Sequence, residues 1–239
     1  MKAFLLAAGH GTRLRPLTDK MPKCLVPIRG VALLEIWLEI CHRHGIDEVL
    51  INLHAQSQSV REFLAKSRSS VKVRLVEEPT LLGSAGTLCA NRKWVESESS
   101  FWVFYADILT AANLTLMADF HHRHQAVATL GVCRVPDPTR SGIVVVNDEG
   151  MVTEFIEKPV NPPGNLAFGG ILLARAEFLK WIPHTAPTDL GRDILPRLVN
   201  QMFVHEITDY HLDVGTPNSY LSAQTTWPGL GSTRAASYE

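Results

Sequence analysis

Short apolar runs and amphipathic stretches alternate over the first half of the chain. Ala3–Ala7 is a continuous apolar run of strand length, and Val49–Leu53 and Phe101–Ala106 repeat the pattern. Val71–Val76 alternates apolar and polar positions, which predicts a strand with one buried face. Leu33, Leu34, Trp37, Leu38 and Cys41 recur at helical spacing, and Gly45 supplies a stop. Val60, Phe63 and Leu64 mark a short amphipathic helix, and Gly83–Val95 and Leu114–His124 read as two more. This alternation predicts an α/β fold: a Rossmann-like, mostly parallel mixed sheet with helices on both faces. The second half is richer in strands, expected over Ala126–Val135, Gly142–Val146, Val152–Glu157, Ala167–Leu173 and Val204–Ile207. Helices are expected over Ala176–Trp181 and Leu190–Asn200. Nothing of low complexity divides the halves, so residues 1–224 are read as one domain. Residues 225–239, with Pro228, Gly229 and Gly231, are read as a disordered tail.

The first strand runs straight into Gly9-His-Gly11-Thr12-Arg13, with Lys23 ten residues on. Glycines let a loop's N–H groups approach an anion closely, and two cations beside such a loop suit a polyphosphate. A dinucleotide fingerprint would need a third glycine where Leu14 stands, and no phosphate-loop pattern of the G-x-x-x-x-G-K-[ST] kind occurs. In a parallel sheet, ligands bind at the carboxyl ends of strands. The Gly9–Arg13 loop after the first strand and Asp107 at the tip of the fourth therefore share one edge.

Charge and composition exclude more than they identify. A net charge of −1 leaves no electrostatic footprint for nucleic acid or an anionic membrane. No signal-peptide architecture and no membrane-length apolar run is read, so a cytoplasmic protein is expected. Cys24, Cys41, Cys89 and Cys133 lack metal-ligand spacing and read as reduced thiols. His121, His122 and His124 share a helix, but no third ligand is suggested nearby; they read as surface histidines. Trp94, Trp102 and Trp181 read as packing residues.

Five collinear segments carry a family resemblance. They are Leu6–Thr18 with Pro22-Lys-Cys-Leu-Val-Pro27, Glu78–Leu88, Tyr105-Ala-Asp107, Phe155-Ile-Glu157-Lys158-Pro159, and Asp213-Val-Gly215-Thr-Pro217. Together they resemble the sugar-1-phosphate nucleotidylyltransferases, from Met1 to about Ala223. The resemblance implies a nucleotide-diphospho-sugar transferase type of fold. It also implies attack of a sugar-1-phosphate oxygen on the α-phosphorus of a nucleoside triphosphate, releasing pyrophosphate. Many relatives carry a further carboxy-terminal β-helix or acyltransferase domain, and this chain is read as too short to hold one.

The resemblance also assigns roles. Arg13 and Lys23 are the expected catalytic cations, with Arg15 either a helper or a surface charge. Leu6, Ala8, Gly9, Gly11, Thr12, Glu78, Gly83 and Ser84 would bind the nucleotide. Asp107 and Asp213 would hold Mg²⁺, which needs few carboxylates once phosphate oxygens join its shell. Lys158 would hold the sugar phosphate and Glu157 a sugar hydroxyl, with Gly142 and Gly170 leaving room for the sugar. Two departures fall here: Ser141 stands where relatives often have an aromatic, and Phe168-Gly169-Gly170 replaces an Asn-Ala-Gly. Leu82-Gly-Ser-Ala-Gly86 resembles the segment of mannose- and heptose-1-phosphate guanylyltransferases, which favours GTP, with UTP second. The alternatives are a UTP- or CTP-dependent relative, including phosphocholine cytidylyltransferase, and a non-catalytic regulatory homologue. Homo-oligomerisation is left open.

Overall fold

A computed structural model describes residues 1–231 of the 239-residue chain. In chain order the strands are β1 (Lys2–Leu6), β2 (Pro27–Ile28), β3 (Val31–Ala32), β4 (Glu48–Leu53), β5 (Lys72–Glu77), β6 (Ser100–Tyr105) and β7 (Ile108–Thr110). They continue with β8 (Ala128–Arg134), β9 (Gly142–Val146), β10 (Val152–Glu157), β11 (Leu166–Arg175), β12 (Met202–Glu206) and β13 (His211–Asp213). The α-helices are α1 (Leu33–Arg43), α2 (Ser57–Lys66), α3 (Ser84–Ala90), α4 (Leu114–His124) and α5 (Pro217–Thr226).

Nine strands form one mixed sheet. Its main path runs β10-β9-β11-β6-β1-β4-β5, and β8 and β12 extend it from β11. β1, β4, β5 and β6 pair in parallel, while β11 meets β6, β8 and β9 antiparallel. The expected parallel character therefore lies mostly in the amino-terminal half, with β12 beside β8 as a further parallel pair. Long antiparallel β11 joins the two halves into one sheet.

Period-two alternation sends neighbouring side chains to opposite faces. Ala3 and Leu5 of β1, Trp102 and Phe104 of β6, and Ile171 and Leu173 of β11 pack on one face beneath α1, α4 and α5. Trp37 of α1 stacks on Phe104 there, ring centroids 4.7 Å apart. Phe4, Phe101, Val103 and Leu172 face the other side, against Ala85 and Leu88 of α3 and the helical turns after β11.

Two expected helices are shorter than their patterns. α3 ends at Ala90, because the Asn91 side-chain amide donates to the Thr87 carbonyl (2.9 Å) and the backbone turns away. The expected Leu190–Asn200 helix is a wide turn over Leu190–Ile194 followed by a tight one over Leu195–Leu198. Pro196 supplies no N–H to continue a helix there. Ala176–Trp181 is likewise a tight turn.

The expected disordered tail is corrected over its first residues. Thr225 and Thr226 end α5, and Trp227 is buried against Tyr210 with its carbonyl accepting from Arg29 (3.0 Å). The rest of that tail, from Ser232, lies outside the described residues. His121 is also corrected. It is buried, its Nδ1 within 2.9 Å of Thr129 Oγ1, because α4 turns that face onto β8. Trp102 is fully buried, as expected.

Candidate active site

β1 lies between β4 and β6, so the chain leaves β1 to one side and returns on the other. The crevice at such a switch opens at the carboxyl ends of the strands. β1 and β6 run in register there, Leu6 beside Tyr105, and the Ala106 amide donates to the Leu6 carbonyl (3.1 Å). The Gly9 loop and Asp107 consequently stand side by side. A cavity of about 260 Å³ occupies this edge, lined by Leu6, Ala8, Gly9, Lys23, Glu78, Gly83, Ser84 and Asp107 among the expected residues.

Gly11 turns at φ +63° and its carbonyl accepts from the Thr18 hydroxyl (2.8 Å). A side chain at Gly11 would meet Thr18 Cγ2 at 3.0 Å and Lys23 Cβ at 3.3 Å, so the loop folds tightly over the Lys23 segment. Lys23, mostly buried, reaches Asp107 Oδ2 at 2.6 Å and Asp213 Oδ1 at 3.9 Å. Arg13 Nη2 lies 3.7 Å from Asp213 Oδ2. Two cations and two carboxylates thus converge from four separate segments. Arg15, by contrast, is an exposed residue paired with Asp19 (3.1 Å), away from this cluster.

Asp213 arrives through the antiparallel pairing of β13 with β7, which sets it opposite Ile108, one residue past Asp107. The Val214 amide donates to the Asp107 carbonyl (2.9 Å) and locks the pair. Burial and the neighbouring Asp107 carboxylate push the Asp213 carboxyl up, against the opposing pull of Lys23 and Arg13. Gly215 faces the same cluster. A Cβ there would lie 2.6 Å from Asp213 Oδ1, 2.8 Å from Arg13 Nη2 and 3.1 Å from Lys23 Nζ. The donor set is two carboxylates crowded together with no imidazole or thiolate, which fits a hard divalent cation. No group of three or more His, Cys, Asp or Glu forms a cation site among the described residues. Substrate oxygens would have to complete the shell.

Glu78 acts on the loop rather than facing outward. Its carboxylate is buried, Oε1 accepting from Asn52 (2.9 Å) and the Thr87 hydroxyl, Oε2 from the Leu82 amide (3.1 Å). Asn52 in turn accepts from the Ala7 amide (2.7 Å), so this network ties the β1 end to the loop before α3. Gly83 adopts φ +78°, and a Cβ there would lie 2.4 Å from the Thr188 carbonyl oxygen. Thr188 crosses this close because its carbonyl accepts from the Ala85 and Gly86 amides (2.9 and 3.1 Å). The Ser84 hydroxyl donates to Asp189 Oδ2 (2.8 Å) and accepts from the Leu190 amide (2.7 Å).

The expected sugar-side residues sit at the neighbouring strand ends, outside the lining of the main cavity. Glu157 ends β10 opposite Gly142 of β9. Cβ atoms at Gly142 and Gly191 would fall 2.9 and 2.5 Å from Glu157 Oε2, so two glycine backbones seat this carboxylate. Lys158, at φ +50°, carries an exposed side chain whose Nζ lies 3.2 Å from Glu157 Oε1. Gly170, at φ +74°, sits over Tyr105 and Ile108 where β11 bulges. The Gly169 carbonyl accepts from Nε2 of half-buried His211 (2.9 Å).

Sequence reasoning assigned no role to Asn52, Tyr105, Asp189, Gly191 or Gly215. Asn52 had a signal, a lone amide inside an apolar strand run. Asp189 and Gly191 had none, because their importance comes from chain segments that meet only on folding.

This fold and site define a nucleotidyl transferase. The chain belongs to that family, whose profile matches residues 2–228. Mannose-1-phosphate guanyltransferase of Schizosaccharomyces pombe (strain 972 / ATCC 24843) is 32% identical over 231 residues, covering 93% of this chain and 63% of that protein. Mannose-1-phosphate guanylyltransferase 1 of Arabidopsis thaliana is 30% identical over 229 residues, with the same coverage of 93% and 63%. The chain therefore spans 63% of the length of these curated relatives. Among solved structures, UDP-glucose pyrophosphorylase complexed with UDP-glucose superposes with a TM-score of 0.83 at 19% identity, covering 95% of this chain and 97% of the other. HddC from Yersinia pseudotuberculosis gives a TM-score of 0.80 at 22% identity, covering 95% and 99%. These two likenesses establish the shared fold. No helix among the described residues is long and apolar enough to cross a membrane.

Proposed function

We propose that the protein transfers a guanylyl group from GTP to a mannose- or heptose-type sugar-1-phosphate, giving the GDP-sugar and pyrophosphate. The observation that carries this reading is the meeting of Arg13, Lys23, Asp107 and Asp213 beside the Gly9–Gly11 loop. Two polyanions must be brought together, and the reaction needs positive charge at both the leaving group and the attacker. The guanylyltransferase names of the relatives support the base and the sugar class.

In this reading the Gly9 and Gly11 amides and Arg13 hold the β- and γ-phosphates. A sugar phosphate oxygen attacks the α-phosphorus, and the bond to the bridging oxygen breaks to release pyrophosphate. Lys23 neutralises charge at the α-phosphate. Asp107 and Asp213 would hold Mg²⁺, which would screen the phosphates from each other. Leu6, Ala8 and Thr12 frame the nucleotide, with Gly83 and Ser84 at its base end and Glu78 holding that loop in shape. Glu157 and Lys158, with Gly142 and Gly170, receive the sugar phosphate. Free thiols at all four cysteines suit a reducing, cytoplasmic setting.

The test is pyrophosphate release with Mg²⁺ for GTP, UTP, CTP, ATP and dTTP, each against a panel of sugar-1-phosphates and phosphocholine. Turnover confined to GTP with mannose- or heptose-type phosphates is expected. Preference for another nucleotide, for phosphocholine, or silence across the panel from folded protein would overturn the assignment.

A further inference from the structure

Asp189 lines the main cavity, yet none of the roles above uses it. It sits on the strap 185–193, which crosses from the Gly83–Ser84 loop to the Glu157 strand end. Ser84 Oγ donates to Oδ2 (2.8 Å) and the Arg192 amide to Oδ1 (3.0 Å), so the side chain is held in place. The neighbouring Arg192 guanidinium pairs with Asp193 instead (3.0 and 3.1 Å). An ionised carboxylate offers about four acceptor positions, and this one spends two on the protein. Acceptor capacity is left at a cavity wall.

The position along the cavity decides what it can accept. Lys23 and Asp107 mark the phosphate end. Asp189 lies between the Ser84 hydroxyl and Glu157: a Cβ at Gly191 would stand 3.5 Å from Asp189 Oδ1 and 2.5 Å from Glu157 Oε2, and the half-buried Tyr105 hydroxyl feels both charges. Two residues further along the strap, the Gly191 backbone seats the Glu157 carboxylate. A carboxylate here repels a phosphate and accepts from a neutral hydroxyl, the one strong donor a sugar ring presents in number.

We infer that Asp189 is a specificity-determining residue whose carboxylate accepts a hydrogen bond from a ring hydroxyl of the acceptor sugar, turning the sugar's phosphate toward Lys23. The inference rests on the sugar-1-phosphate reading above. Ser84 is then the positioning residue that holds the carboxylate toward the cavity.

The experiment is calorimetric titration of GDP and of GDP-mannose into the wild-type chain and its Asp189→Ala and Asp189→Asn variants. The two ligands differ only by the sugar. Asp189→Ala should weaken GDP-mannose about tenfold or more while GDP moves less than about twofold. Asp189→Asn, which keeps an acceptor oxygen, should fall between. The KM for mannose-1-phosphate should rise by a similar factor with that for GTP flat. Equal weakening of GDP and GDP-mannose overturns the inference, since it would place the carboxylate on the nucleotide or show a collapsed strap. No weakening of either also overturns it. Ser84→Ala keeps the carboxylate and should lose less sugar affinity than Asp189→Ala; an equal loss would assign the effect to strap shape and overturn it too. The functional reading fails separately, in the wild type, if GTP and mannose-1-phosphate are not turned over. The same pairwise comparison is then made with the nucleotide and sugar nucleotide of whichever pair the wild type uses.

Discussion

Gly215 shapes the charge cluster by what it lacks. Its missing Cβ leaves the space in which Asp213, Arg13 and Lys23 approach one another. Gly215→Ala should therefore lower kcat by about ten- to a hundredfold, since misplacing such groups by an ångström is enough. The thermal midpoint should stay within a few degrees, because the clashing Arg13 and Lys23 atoms end flexible side chains. Steady-state kinetics beside a melting curve checks both, and unchanged kcat would remove Gly215 from the site. Asp107→Ala should reduce turnover by at least about a thousandfold with the fold intact, read by Mg²⁺-dependent pyrophosphate release and circular dichroism. Near-normal activity would dismiss Asp107 as a cation ligand. At this scale the charged members of the candidate site were legible, because Arg13, Lys23, Asp107 and Asp213 sit in the collinear segments that carry the family resemblance. Glu78 was legible as a site residue but not in its manner of acting, since only the fold shows both its oxygens consumed by Asn52, Thr87 and Leu82.

The elements that build the site are short. β7 and β13 have three residues each, too few for any periodic pattern, yet their pairing delivers Asp213 to Asp107. The strap 185–193 has no regular pattern either, and its course depends on Gly83. Gly83→Ala adds a Cβ 2.4 Å from the Thr188 carbonyl at a positive φ, with backbone rather than a flexible side chain to displace. The expected result is a loss on the order of 2 kcal/mol of stability, measured by denaturant unfolding. KM values for both substrates should rise together, because the strap touches both the base loop and Glu157. A variant as stable as the wild type would show that the strap yields freely. The long elements were legible, since β4, β6, β9, β10, α1 and α4 each carry several apolar positions at one period. Helix length was not legible where Asn91 and Pro196 interrupt the backbone ladder.

At the level of the whole molecule, buried His121 and half-buried His211 couple stability to pH. His121 and His211 both have their pKa lowered to about 4, chiefly by burial. The unfolded chain binds protons at these side chains below about pH 6.5, while the folded chain stays neutral down to about 4. Their contribution is therefore complete above pH 6.5, declines as pH falls through that window, and levels off below it. On these values each should cost on the order of 3 kcal/mol between pH 7 and pH 4. His121→Phe should flatten the decline, as read from urea midpoints across pH, and an unaltered slope would exclude His121 as a source. Amphipathic periods along the chain determined the α/β class, the two-faced packing of β1, β4 and β6, and the edge on which a glycine loop and Asp107 would meet. Those features follow from local spacing, which the chain carries without reference to its distant parts. Only the tertiary structure decided that Asp213 would stand beside Asp107, that the strap would carry Asp189 to the cavity, and that Gly191 would seat Glu157. Each of these joins segments tens of residues or more apart, and where such segments meet is set by long-range strand pairing and packing, which no local pattern encodes.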